Sequence, residues 1–150
     1  MFATEAELVE VFATTLASDQ SCFAELKTLQ EFPHSEGRAD VIGIRSDGDV
    51  FAFEAKLHRW KDCLHQAYRN SFYAHYSYVI LPVSTATEAA RRQHEFERRG
   101  VGLCTVETGE IKIWITAQRK EPIKMWLTRA AAEAAAPGVS DDKCKVSSRG

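Results

Sequence analysis

Three ionisable residues in the middle of this chain stand where charge is costly. Asp40 falls near the start of the run Gly37-Arg38-Ala39-Asp40-Val41-Ile42-Gly43-Ile44, and Glu54 and Lys56 fall in Val50-Phe51-Ala52-Phe53-Glu54-Ala55-Lys56-Leu57. A charge among apolar neighbours is expensive unless it is paired or binds something. Two carboxylates brought together repel, and one must take a proton unless a cation sits between them. Oxygen donors alone suit a hard ion, Mg²⁺ or Mn²⁺. Lys56 could then orient a water or balance charge developing on a phosphate. The plainer alternative is a closed ion pair, in which Lys56 neutralises Asp40 and Glu54 and no chemistry follows.

The turn decides whether the two carboxylates can meet. The two apolar runs read as a β-hairpin around Arg45-Ser46-Asp47-Gly48-Asp49. A two-residue turn at Asp47-Gly48 would set Asp40 opposite Ala55, with Asp40 and Glu54 on opposite faces. A three-residue loop, Ser46-Asp47-Gly48, pairs Arg45 with Asp49 and Asp40 with Glu54. Glycine occupies the left-handed region without steric cost, so the position of Gly48 favours the longer loop. By strand parity, both carboxylates and Lys56 then share one face.

The flanking elements must hold this hairpin. Thr4 to about Ala17 predicts a helix, with Thr4 and Glu7 as a capping box and Leu8, Val9, Phe12 and Leu16 on one face. Glu5 falls on that apolar face, whereas Glu7 and Glu10 point away. Residues 22–30 read as a weak, edge-like strand, and Phe32 to Gly37 as a loop. Arg59 to about His75 predicts a second helix with Trp60, Leu64, Ala67, Tyr68 and Ser71 buried. Its polar face carries Asp62, Gln66, Arg69 and Tyr73. Tyr76 to Leu81 reads as a strand covered on both faces. A third helix is capped by Thr85 or Thr87 and ends at Gly100. Strands follow at residues 101–106 and 111–115, the second with three isoleucines on one face. A last helix takes Pro122 in its first turn and packs Ile123, Trp126 and Leu127. Trp114 and Trp126 read as packing residues. The predicted class is α/β, a mixed central sheet flanked by helices.

Asp40, thirteen intervening residues, then Glu54-Ala55-Lys56 resembles the signature of the PD-(D/E)xK, or restriction-endonuclease-like, nuclease superfamily. The order helix, three strands, helix, strand is similar to that superfamily's αβββαβ core, over roughly Thr4 to Leu81. Ala39 stands where the name-giving proline would be. The resemblance implies that Asp40 and Glu54 ligate Mg²⁺ or Mn²⁺ with the main-chain carbonyl of Ala55, and that Lys56 positions or helps deprotonate the attacking water. It offers Glu5 as a further acidic ligand; a carboxylate favoured by the helix dipole is the competing account. It also offers Gln66, which the helical wheel places on the solvated side, with Arg69 beside it as a phosphate contact or a solvated charge. Arg38, His58, Arg59 and Lys61 bracket the ligands as substrate-binding candidates. Arg91, Arg92, Arg98 and Arg99 are offset by Glu88, Glu95 and Glu97.

The function this implies is a divalent-metal-dependent nuclease hydrolysing phosphodiester bonds in DNA, with RNA open to the same chemistry. Without a recognisable sequence-reading module it would be structure-selective or partner-targeted, as in repair, recombination or defence. The alternative is a catalytically silent DNA-binding or assembly subunit of the same fold. A homodimer or a partner protein fits such enzymes.

Composition bounds the rest. At 150 residues the chain predicts one domain over 1–136, and the polar stretch 137–150 reads as a disordered tail. The formal net charge of −2 gives no global positive field for nucleic acid. No apolar run nears the roughly 20 residues that span a bilayer, and the N-terminus lacks a basic signal region, so a cytoplasmic protein is expected. Cys22, Cys63, Cys104 and Cys144 show no zinc spacing and read as free thiols.

Overall fold

The computed structural model describes residues 2–18, 23, 26–34, 37–107 and 109–137. One six-stranded sheet runs through it in the order β1-β2-β3-β4-β5-β6. The elements are α1 (Glu5–Leu16), β1 (Lys27–His34), β2 (Gly37–Ile44), β3 (Val50–Ala55), α2 (Trp60–Asn70) and β4 (Tyr76–Ile80). After them come α3 (Val83–Ala90), α4 (Gln93–Arg99), β5 (Gly102–Glu107), β6 (Glu110–Ile115) and α5 (Met125–Ala135). β3, β4 and β5 run parallel and the other neighbours antiparallel. This is the αβββαβ arrangement the sequence predicts, extended by two strands and three helices. Among the described residues no helix is long and apolar enough to cross a membrane.

The sheet separates two apolar layers. On one face α1 buries Leu8, Phe12 and Leu16 against Val41, Phe51, Phe53, Tyr78 and Ile80. The capping box forms as expected, the Glu7 N–H donating to Thr4 Oγ1 at 3.1 Å. The other face is covered in two parts. α2, α3 and α4 pack Trp60, Leu64, Ala86 and Phe96 on Val79, Leu81 and Leu103. α5 sets Leu127 and Ala131 against Ile42, Val50 and Ala52.

The hairpin takes the longer loop. Gly48 has φ +94°, its N–H donates to the Arg45 carbonyl at 2.9 Å, and the Arg45 N–H donates to the Asp49 carbonyl at 3.0 Å. Ile44 faces Val50 and Val41 faces Phe53, which is the register that brings Asp40 toward Glu54.

Several expectations are corrected. The predicted loop after Phe32 is strand: β1 continues through Phe32, Pro33 and His34. As the sheet edge, it has one side with no ladder to feed, and proline costs nothing there. α2 ends at Asn70, so the wheel does not govern Tyr73, which is buried; Tyr68 is partly exposed. The third helix begins directly after Pro82 and breaks into α3 and α4, where the Arg91 and Arg92 N–H groups turn back to Glu88 and Ala89. α5 starts at Met125, beyond Pro122, because the Ile123 and Lys124 N–H groups both donate to the Phe72 carbonyl. Ile123 and Trp126 are therefore exposed, Trp126 at 61%. Only two of the three β6 isoleucines are buried, since a register shift at Leu103/Cys104 breaks the alternation and leaves Ile113 partly exposed. Cys63 and Cys104 are buried free thiols; Cys22, Cys144 and the predicted tail from 138 lie outside the described residues.

Candidate functional site

The chemistry gathers where β2 and β3 separate. Their ladder ends at Val41 and Phe53. Continued by one more hydrogen-bonded pair, it would give the Ala55 N–H to the Ala39 carbonyl. Instead that N–H donates to Asp40 Oδ2 at 2.8 Å. Asp40 thus fills the fork between the strands with its own carboxylate, and Ala39 turns into the core beside Tyr73 and Leu127. The neighbouring edge is distorted at the matching place: Glu31, opposite Asp40 in register, has φ +55° and pairs with Arg38 at 3.3 Å. A non-glycine residue in the left-handed region stores strain.

Glu54 is 3% exposed. Its Oε2 accepts from Asn70 Nδ2 at 2.8 Å, Asn70 Oδ1 accepts from the Tyr73 hydroxyl at 3.2 Å, and its main-chain carbonyl accepts from Cys63 Sγ at 3.3 Å. The Asp40 carboxyl, held on the N–H of the next residue, Ala55, stands close enough for its charge to act on that of Glu54. Burial, then the Asp40 charge, pushes the Glu54 carboxyl up to about 8. Asp40 is raised as well, chiefly by burial, and is eased down by the Ala55 N–H, by Glu54 and by the Lys56 charge. Both carboxyl groups are short of compensating positive charge, and the shortage is greater at the more deeply buried Glu54.

Lys56 lies just past the end of β3, so strand parity no longer fixes its direction. Its Nζ stands 3.9 Å from Glu5 Oε1, and Glu5 Oε2 accepts the Leu57 N–H at 3.4 Å. The first helix therefore reaches the site through Glu5, whose carboxylate steadies Lys56 and the chain after β3.

The carboxyl pair opens in two directions. Asp40 borders a cleft of about 390 Å³ with Glu5, Glu10, Gln30, Glu31, Arg38 and Ala55. Glu54 borders a pocket of about 50 Å³ with His34, Arg38, Gln66, Arg69, Asn70 and Tyr73. The single-face expectation is not met: Asp40 opens toward the α1 side and Glu54 toward the α2 side, because the β2–β3 ladder ends before them and Asp40 turns its carboxylate into the fork. Gln66 and Arg69, which the wheel assigned to solvent, both stand beside Glu54. His58 and Arg59 do not join the site. They line a separate depression with Lys61 and Asp62, where Arg59 pairs with Asp62 at 2.6 Å.

Sequence reasoning missed Asn70, Tyr73, His34 and Glu31. For Asn70 a signal existed. It follows Ala67 by three residues on the buried stripe of α2, where an apolar side chain is expected, and a polar one there needs a partner. Nothing in the sequence marks Glu31, whose backbone strain appears only in three dimensions.

The donor set consists of oxygens. Among the described residues no group of three or more His, Cys, Asp or Glu side chains is arranged to hold a metal ion. Asp40, Glu54 and a main-chain carbonyl nonetheless suit Mg²⁺, which keeps several waters and often takes only one or two protein carboxylates.

No family model and no curated protein sequence matches the chain. Among solved structures, the SPO1766 protein of unknown function from Silicibacter pomeroyi shares the fold, with a TM-score of 0.65 at 16% identity over 94% of this chain and 89% of that one. A repair endonuclease from Pyrococcus abyssi superposes with a TM-score of 0.46 at 17% identity, over 71% of this chain and 48% of that one, about half its length.

Proposed function

We propose that this chain is a divalent-metal-dependent nuclease that hydrolyses phosphodiester bonds in DNA. The observation that carries the reading is the pair of carboxylates Asp40 and Glu54 gathered at the fork of β2 and β3, Glu54 buried and neither, among the described residues, held by a cation in an ion pair. A purely structural ion pair would have brought Lys56 onto both carboxyls; here, among the described residues, Lys56 pairs with Glu5 and with neither Asp40 nor Glu54. Asp40, Glu54 and the Ala55 carbonyl would hold Mg²⁺ or Mn²⁺, which when bound lowers the pKa of a water and steadies charge on phosphate oxygens. Asn70, itself braced by Tyr73, orients Glu54. Glu5 orients Lys56, which places a positive charge at the mouth of the cleft where a phosphate would lie.

The test is incubation of the protein with supercoiled, linear, single-stranded and branched DNA in Mg²⁺ or Mn²⁺, beside Glu54→Gln and Lys56→Ala. The expected result is cleavage by the wild type that both variants lose. Equal background in all three proteins overturns the proposal, and DNA retention without cleavage would point to the silent binding subunit.

A further inference from the structure

We propose that the pocket beside Glu54 receives the terminal phosphate of a nucleic acid strand, so that strand ends are the preferred substrate. This rests on the nuclease reading and adds a substrate class to it. The pocket has a closed floor and a cationic rim. The floor is Glu54, Asn70 and Tyr73, all buried and joined in a chain of hydrogen bonds through Asn70. The rim is His34, Arg38, Arg69 and the amide of Gln66. Among the described residues Arg69 has no ion pair, and Arg38 is held only by an exposed pair with Glu31, the kind worth little. His34 is itself braced between Phe32 and Tyr73, with ring centroids 6.0 and 5.2 Å away.

Positive charge gathered on the rim, with the single acid of the lining already engaged, calls for an anion. Size narrows the choice. A water-sized group needs roughly 10–15 Å³ of such space; a pocket of about 50 Å³ therefore takes a few oxygen-sized atoms. That fits a phosphoryl group and excludes a base. The buried floor gives a continuing strand no exit, which favours an end over an internal phosphodiester. A terminal monoester also carries more negative charge than a diester, and arginine forks match its oxygens.

The experiment uses the full chain in EDTA, where nothing is cut. Binding of an internally labelled single strand is followed by fluorescence anisotropy with a 5′-phosphate, a 3′-phosphate, or hydroxyls at both ends. One phosphorylated strand should bind about tenfold tighter than the hydroxyl strand, with inorganic phosphate competing. Arg69→Ala, an exposed change, should abolish that preference, and Arg69→Lys should restore part of it. Equal binding of the three strands, or a preference that Arg69→Ala keeps, overturns the proposal. Cleavage in Mg²⁺ without any end preference overturns the pocket and leaves the nuclease reading standing. An end preference in a protein that cuts nothing supports the pocket and overturns the nuclease reading.

Discussion

Strand β3 carries a buried carboxylate at each end, and the fold treats them in opposite ways. Asp49, where the strand begins, is 7% exposed and gives both oxygens to Arg119, at 2.9 and 3.0 Å. Arg45 adds a contact at 3.2 Å, and His75 Nε2 lies 3.7 Å away, its Nδ1 accepting the Val50 N–H. Hydrogen bonding from Arg119 is the largest of the effects that hold the Asp49 carboxyl below its ordinary range. Glu54, where the strand ends, receives one amide, and burial followed by the Asp40 charge pushes it up to about 8. The same sheet can evidently neutralise a buried carboxylate when stability is all that is asked. At the other end it withholds the arginine. On the proposed function that shortage is the site's purpose, and stability is surrendered for it.

The sharpest way to break the comparison is by activity. Glu54→Gln and Lys56→Ala should each lower cleavage by about 10³-fold or more, while Asp49→Asn leaves the turnover of the folded fraction near wild type. Single-turnover cleavage of labelled DNA reads this. Stability should move the other way. Asp49→Asn takes from Arg119 its bidentate partner, leaving it the exposed Glu121, and should lower the Tm. Glu54→Gln should raise the Tm of the metal-free protein at pH 8. If both variants lose stability equally, the two ends are not different in kind.

The pH dependence sharpens the same contrast. Glu54 has a folded pKa of about 8 against an ordinary value of 4.5. The folded state therefore binds more protons than the unfolded one between those limits. Its favourable contribution is complete below pH 4.5, declines as pH rises and is gone above 8, on the order of a few kcal/mol. Asp49 is lowered, so its contribution is present above about 3.8 and lost as pH falls through the folded value. Melting curves from pH 4 to 9 should show a decline toward pH 8 in wild type that is flattened in Glu54→Gln. Added Mg²⁺ should raise the wild-type Tm more than that of the variant.

Much of this arrangement is legible in the sequence, because it depends on parity and spacing. Gly48 in a Ser-Asp-Gly turn favours the register that the structure shows, and that register brings Asp40 toward Glu54. What parity cannot supply is the place where a ladder stops. Alternation holds only while strands stay paired, and the pairing ends one residue before the site. Asp40 at the fork, and Lys56 turned to Glu5, follow from that ending. The wheel fails for a similar reason at Tyr73, which lies beyond the last turn of α2. Pro33 is illegible in the sequence because a proline looks the same in a loop and on an edge strand. The exposure of Trp126 is equally so, because its surroundings depend on how Phe72 pins the chain before α5.

The smallest effect tests whether the turn acts only through register. Gly48 sits at φ +94° with nothing within 4 Å of where a Cβ would be, so alanine there meets no neighbour and pays only the backbone penalty of the left-handed region, about 1–2 kcal/mol. Asparagine, which tolerates that region better, should cost less. The cross-strand pairs from Ile44/Val50 to Val41/Phe53 still hold the register in both variants, so cleavage per folded molecule should be unchanged while Tm falls. Deleting Arg45 while keeping the Ser46-Asp47-Gly48 loop pairs Ile44 with Asp49 and moves Asp40 opposite Phe53, which turns it off the Glu54 register. Cleavage should then vanish even where the protein still folds by circular dichroism. A deletion that folds and still cuts would show that the meeting of Asp40 with Glu54 does not depend on the turn.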